Sequence, residues 1–258
     1  MLTVTTSWDD GHQLDLRTAA LLERYGVRGT FYISEKYATP RLSEEEIRSL
    51  RPFHEVGAHT VTHPDLTMLP EAEALREMVE GKAWLEAVLG EEVPLFCYPS
   101  GRLNKRVVEL AKEAGFRGAR TTAFGATRPP EDPFFLGTTI QAYPFPLRKL
   151  DKDHYYWGKI LQPLSERYSS LRSLGVPLSA MTSWGAAAAA AFEHALAHDG
   201  MFHLWGHSWE IERYGLWDDL EDLLKRMSEK KDRVRFVTNG ELLGVLPLAA
   251  SDEGAPAE

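Results

Sequence analysis

Short apolar runs rich in Val, Ile, Phe and Thr alternate along this chain with longer stretches in which Leu, Val and Ala recur every three or four positions. The first pattern predicts strands at residues 2–8, 29–33, 55–58, 95–98, 118–121, 134–140, 201–205 and 234–237. The second predicts helices over 14–25, 71–89, 104–115 and 218–230, the last with Leu220, Leu223, Leu224 and Met227 as its buried stripe. Gly26, Gly90 and Gly115 stand where three of these helices should stop, and Asn104 stands where one should start. Strands that alternate with helices in this way favour a parallel β/α architecture. The alanine-rich run at 185–192 reads as a helix packed closely on a neighbour, because small side chains permit close approach.

Residues 141–184 break the alternation. Tyr143, Pro144, Phe145, Pro146, Tyr155, Tyr156, Trp157 and Tyr168 crowd into an elaborated connection that should contain a helix. Aromatics there either anchor the connection to its own domain or cover a pocket, and anchoring is the commoner use.

Composition narrows the class. With 258 residues, 43% of them apolar, the chain suffices for one large α/β domain, placed at 1–246, with a frayed Ala-, Ser-, Glu- and Pro-rich tail at 247–258. A net charge of −9 and the lack of Lys/Arg clusters argue against nucleic acid as a partner. The single cysteine, Cys97, excludes an internal disulfide and a cysteine-rich zinc site. No stretch is long and apolar enough for a membrane span, and the first residues carry no secretory pattern, so the expected compartment is the cytoplasm. Oligomeric state is open.

Candidate chemistry sits at the ends of predicted strands. Asp9 and Asp10 are adjacent carboxylates in front of Gly11, and two such charges repel unless a cation lies beside them. His59 and His63 follow the strand at 55–58, and residues four apart on one helical turn would face the same way. Two neutral imidazoles plus Asp9 or Asp10 would hold a metal ion and leave positions open for water and substrate.

Four motifs occur in order: Ser7-Trp8-Asp9-Asp10-Gly11, His59-Thr60-Val61-Thr62-His63, Phe96-Cys97-Tyr98-Pro99-Ser100-Gly101 and Phe202-His203-Leu204-Trp205-Gly206-His207. In these the chain resembles the polysaccharide deacetylases of carbohydrate esterase family four, over residues 3–243. The resemblance implies a distorted (β/α) barrel of about seven parallel strands with surrounding helices, and metal-dependent removal of an acetyl group from an N-acetylated amino sugar or glycan. It implies Asp10, His59 and His63 as metal ligands, with zinc the first choice and cobalt or nickel admissible. Asp9 then matches the catalytic base and His207 the general acid, with His203 as a competitor expected to be a hydrogen-bonded core residue. Ser100, with Pro99 and Tyr98, falls where the family supplies an oxyanion donor. Cys97 stands where many members carry an arginine that orients the base, and a thiol cannot replace a guanidinium; Arg120, at the end of the next strand, is expected to supply that charge to Asp9. The family's fourth motif is not recognisable in residues 138–143. Two other readings remain: hydrolysis of a non-sugar amide or related C–N bond, and a carbohydrate-binding barrel without turnover.

Overall fold

In the computed structural model, which describes residues 1–149 and 156–248, the predicted alternation becomes a parallel sheet curled toward closure. The order of elements is β1 (Leu2–Asp10), α1 (Asp15–Arg24), β2 (Gly29–Ile33), α2 (Glu44–Leu50), β3 (Glu55–Ala58), α3 (Glu71–Leu89), β4 (Leu95–Cys97), α4 (Lys105–Glu113) and β5 (Gly118–Phe124). There follow β6 (Leu136–Thr138), β7 (Ile140–Ala142), α5 (Trp157–Ser173), α6 (Trp184–His198), β8 (Met201–Gly206), α7 (Ser208–Tyr214), α8 (Trp217–Ser228), β9 (Val234–Phe236) and α9 (Asn239–Leu242). Neighbouring strands run β6-β5-β4-β3-β2-β1-β8-β7, and β9 pairs with the first residues of β1. Every strand pair is parallel.

The two ends of this path, β6 and β7, are separated in sequence only by Thr139. One segment therefore pairs with β5 through its first part and with β8 through its second, drawing the sheet into a nearly closed barrel. Thr139 makes the switch: its N–H donates to the His203 carbonyl at 2.9 Å, and its hydroxyl oxygen accepts from the His203 N–H at 2.9 Å. Counting that broken segment once, the sheet has eight strands, one for each of the eight stretches read from the sequence and one more than the about seven that the resemblance implies. The strand expected at 134–140 starts later because Phe134 lies in a one-turn helix capped by Asp132.

The expected helices form with shifts of a few residues at their ends, and α2, α7 and α9 are additional short ones. Asn104 accepts from the Val107 N–H, and Gly90 takes a left-handed φ of 71° after α3. Ala187, Ala188, Ala191 and Ala195 of α6 are buried, the close packing that small side chains allow. The α8 stripe is buried as expected. In the 141–184 connection, Tyr143 and Phe145 anchor in the core while Tyr156, Trp157 and Tyr168 are exposed. Tyr155 and the tail from residue 249 lie outside the described residues. Among the described residues no helix is long and apolar enough to cross a membrane.

Candidate active site

The C-terminal ends of β1, β4, β5, β7 and β8 open onto one cavity of about 470 Å³, lined by Asp9, Asp10, His63, Ser100 and His207 among others. In a regular strand, successive side chains face opposite ways. Asp9 and Asp10 nevertheless both reach this cavity, because Asp10 ends β1 with a φ of 85° and Gly11 follows at 76°. A non-glycine residue in this region is strained, and such outliers cluster at functional sites.

His59 and His63 converge by a route other than the helical turn expected of them. The chain after β3 is irregular, with left-handed φ of 67° at Thr60 and 58° at His63. Their rings meet edge to face at 4.6 Å, and their Nε2 atoms lie 3.7 and 3.8 Å from Asp10 Oδ1. The Cys97 carbonyl sits 2.8 Å from His59 Nδ1, which assigns the proton to Nδ1 and leaves Nε2 as the lone-pair donor. Tyr37 stacks on His63 at 4.2 Å. Burial lowers both histidines, His59 to about 4, so they are neutral at physiological pH.

Asp10 Oδ2 accepts from Trp209 Nε1 at 2.9 Å, whereas Asp10 Oδ1 is buried with no hydrogen-bond partner. A buried carboxylate oxygen without a donor is costly. Donor atoms about 2 Å from a shared ion lie roughly 3–4 Å from one another. The orphaned oxygen and its two imidazole neighbours therefore fit a divalent metal. A second grouping, Asp9 with His59 and Cys97, fits less well: burial pushes the Cys97 thiol far up, and Asp9 is already paired.

That pairing is with Arg120. Its Nη2 donates to Asp9 Oδ1, both side chains are buried, and its guanidinium lies 4.8 Å over the Trp205 ring. Burial opposes ionisation of Asp9, but Arg120, His59 and His207 outweigh it and hold the carboxyl below the usual range. Cys97 Sγ lies 3.9 Å from the other Asp9 oxygen.

His207 follows β8 and points its Nε2 toward Asp10 Oδ2, 3.9 Å away. Its Nδ1 meets Glu210 Oε2 at 2.6 Å. Burial disfavours the imidazolium, yet Glu210 and then Asp10 and Asp9 raise His207 to about 9. His203 is a core residue, bonded to the Ser7 hydroxyl at 2.8 Å and to the Gly137 carbonyl at 2.9 Å, and burial lowers it to about 3. Ser100, at a φ of 55° in the turn Pro99–Gly101, lines the cavity. Tyr98 does not: its side chain packs on Phe96 and its hydroxyl donates to the Phe134 carbonyl at 3.3 Å. Pro99, the first residue of that turn, is buried and does not line the cavity.

Sequence reading missed Glu210, Trp209 and Tyr37. Glu210 was discoverable, since a residue three positions after His207 on a helix start lies beside it. Trp209 and Tyr37 carried no comparable signal.

The sequence model of the polysaccharide deacetylase family matches residues 2–119. The peptidoglycan N-acetylglucosamine deacetylase of Bacillus cereus is 29% identical over 99 residues, which is 38% of this chain and 45% of that protein. The chain spans less than half the length of the curated relatives it matches. Two solved structures share the fold along nearly the whole chain. A Mycobacterium smegmatis protein assigned to the polysaccharide deacetylases has a TM-score of 0.63 at 17% identity, covering 98% of this chain and 94% of its own. The chitin deacetylase of Colletotrichum lindemuthianum has a TM-score of 0.57 at 19% identity, with the same 98% and 94% coverage. At these identities the likeness is one of fold. The stretch that resembles the polysaccharide deacetylase model, residues 2–119, holds Asp9, the candidate metal ligands Asp10, His59 and His63, and Cys97.

Proposed function

We propose that this protein is a metal-dependent hydrolase that removes the acetyl group from an N-acetylated amino sugar or glycan. The observation that carries this reading is the buried, unpartnered Asp10 Oδ1 facing His59 and His63 in the same cavity that Asp9 and His207 line from other sides. Asp10, His59 and His63 would hold a divalent ion, zinc by preference for two imidazoles and a carboxylate. Such an ion supplies Lewis acidity, polarising the acetamide carbonyl and making a water easier to deprotonate.

Asp9 takes a proton from the attacking water. Arg120 keeps it ionised and fixes its direction, so that its other oxygen faces the reacting atoms. As the acetamide carbonyl carbon becomes tetrahedral, the backbone N–H at Ser100 faces the oxygen on which charge develops. His207, steadied by Glu210, gives its proton to the departing amine when the C–N bond breaks. The products are acetate and the free amino sugar. Aromatic rings of Tyr37, Phe124 and Trp209 together with Gln141 give the cavity the mixed lining that a sugar requires.

The test is acetate release after metal reconstitution, measured on N-acetylglucosamine oligomers, on an O-acetylated glycan and on simple acetamides. Release from the first supports the reading. Turnover of the acetamides alone would assign the chain to non-sugar amides, and metal binding without any turnover would leave a binding barrel.

A further inference from the structure

Arg167 reaches the cavity from α5, in the 141–184 connection and outside the residues that match the family. Its guanidinium is held in place on several sides. One Nη2 N–H donates to Gln141 Oε1 at 2.5 Å, and the group lies 4.8 Å over the Tyr143 ring and 5.8 Å over Phe124. The Gln141 backbone is fixed in turn, its main-chain carbonyl accepting from Trp184 Nε1 at 2.7 Å. Among the described residues Arg167 is the one Lys or Arg lining the cavity, and it forms no ion pair.

The carboxylates nearby are otherwise engaged. Glu210 is bonded to His207 at 2.6 Å, and Glu166 accepts from Gln162 at 2.5 Å. Arg148 lies 5.0 Å over the same Tyr143 ring, so two guanidiniums pack on one aromatic side chain. Burial lowers Arg167 only to about 10, which leaves it cationic at neutral pH. A guanidinium has five N–H donors, and one here is used by Gln141. A neutral hydroxyl would return little for desolvating the rest, whereas a carboxylate or phosphate matches the fork and forms charge-assisted bonds.

We propose that Arg167 sets the substrate class: an N-acetylated sugar that carries an anionic oxygen substituent, carboxylate or phosphate, on or beside the ring that is deacetylated. This rests on the deacetylase reading given above and adds to it a specificity-determining residue.

The experiment compares N-acetylglucosamine with two acidic counterparts, N-acetylmuramic acid for a carboxylate and N-acetylglucosamine 6-phosphate for a phosphate. Metal-reconstituted wild type, Arg167→Gln and Arg167→Lys are each assayed for kcat/KM and, by calorimetry, for binding. The expected result is a preference of tenfold or more for one acidic sugar in the wild type, cut at least tenfold in Arg167→Gln and largely retained in Arg167→Lys. Which acidic sugar shows it identifies the anion. The ratio cancels general damage to the pocket, which a merely bracing role for Arg167 would cause equally for all three sugars. Equal rates for acidic and neutral sugars, or a preference that survives Arg167→Gln, would overturn the proposal while leaving the deacetylase reading intact. If no sugar is turned over, that reading fails and the calorimetric preference still decides the role of Arg167: tighter binding of an acidic sugar, lost in Arg167→Gln, sustains it, and its absence overturns it.

Discussion

Cys97 of β4 and Arg120 of β5 are partners in the parallel register, and the side chains of both reach Asp9. Partners in adjacent parallel strands project to the same side of the sheet. The guanidinium missing at Cys97 is therefore available one strand over, in the same layer of the barrel. Removing it would take from the buried Asp9 its first cationic partner, and breaking such a pair typically costs about 3–5 kcal/mol. Arg120→Met is expected to lose stability of that order in urea unfolding and to lower kcat by roughly two to four orders of magnitude, the usual range for a displaced general base. Asp9→Asn combined with Arg120→Met should recover part of the stability and none of the activity. Retention of normal kcat by Arg120→Met would show that Asp9 needs no guanidinium.

Metal binding and proton transfer should separate by residue. His59→Ala and His63→Ala each remove an imidazole facing Asp10 Oδ1, so metal content after dialysis against zinc should fall well below one ion per chain. Asp9→Asn should keep its metal and lose turnover. Ligand binding to the folded state stabilises by about 2.7 kcal/mol when free ligand is a hundred times Kd. Thermal unfolding with and without zinc should therefore show a rise for wild type and Asp9→Asn and little change for the histidine variants. A zinc-dependent rise in His59→Ala equal to that of wild type would move the ion elsewhere.

The barrel was legible because strands buried on both faces must be continuous apolar runs, as at 29–33 and 201–205, and because a glycine or an Asx cap marks several helix ends. Position in the site was legible wherever the residue closes a strand, as Asp9, Asp10 and His207 do. What escaped depends on irregular backbone. The convergence of His59 and His63 comes from left-handed residues at Thr60 and His63, which a spacing argument for a helical turn does not contain. Tyr98, expected beside Ser100 at the oxyanion position, turns away for another reason: β4 ends at Cys97, and the aromatic ring is more favourably buried against Phe96 than left at the cavity. Arg167 escaped because it arrives from a connection whose path the sequence does not fix.

Glu210 governs the alkaline side of the pH profile. His207 must carry a proton to donate it, and the protonated fraction falls as pH rises through its pKa. Burial alone would lower that pKa; Glu210 is the first of the carboxylates that raise it to about 9. In Glu210→Gln the raising charge is gone, so the alkaline limb of kcat should move to lower pH, while the acid limb set by Asp9 stays in place. A KM close to wild type with this shifted limb distinguishes loss of proton supply from loss of substrate binding. An unchanged alkaline limb would mean that His207 does not supply the proton.

Gly11 should prove intolerant of even one methyl group. Its φ of 76° is strained for any residue with a Cβ, and a Cβ placed there would come within 2.6 Å of Ile33 Cγ2. Ile33 cannot yield easily, because it is buried on β2 and stands in register with Asp10 itself. The strand end must therefore shift, and Asp10 shifts with it. Gly11→Ala is expected to destabilise the fold by about 1–3 kcal/mol, from overpacking together with the backbone strain. It should also weaken zinc binding, which a Gly90→Ala change at the surface after α3 should not, since there φ is also positive at 71° but no atom lies within 4 Å of the added Cβ. Titrating zinc into both variants at a temperature where each is fully folded measures the difference. Equal zinc affinity in the two would show that the β1 end holds Asp10 without help from the glycine turn.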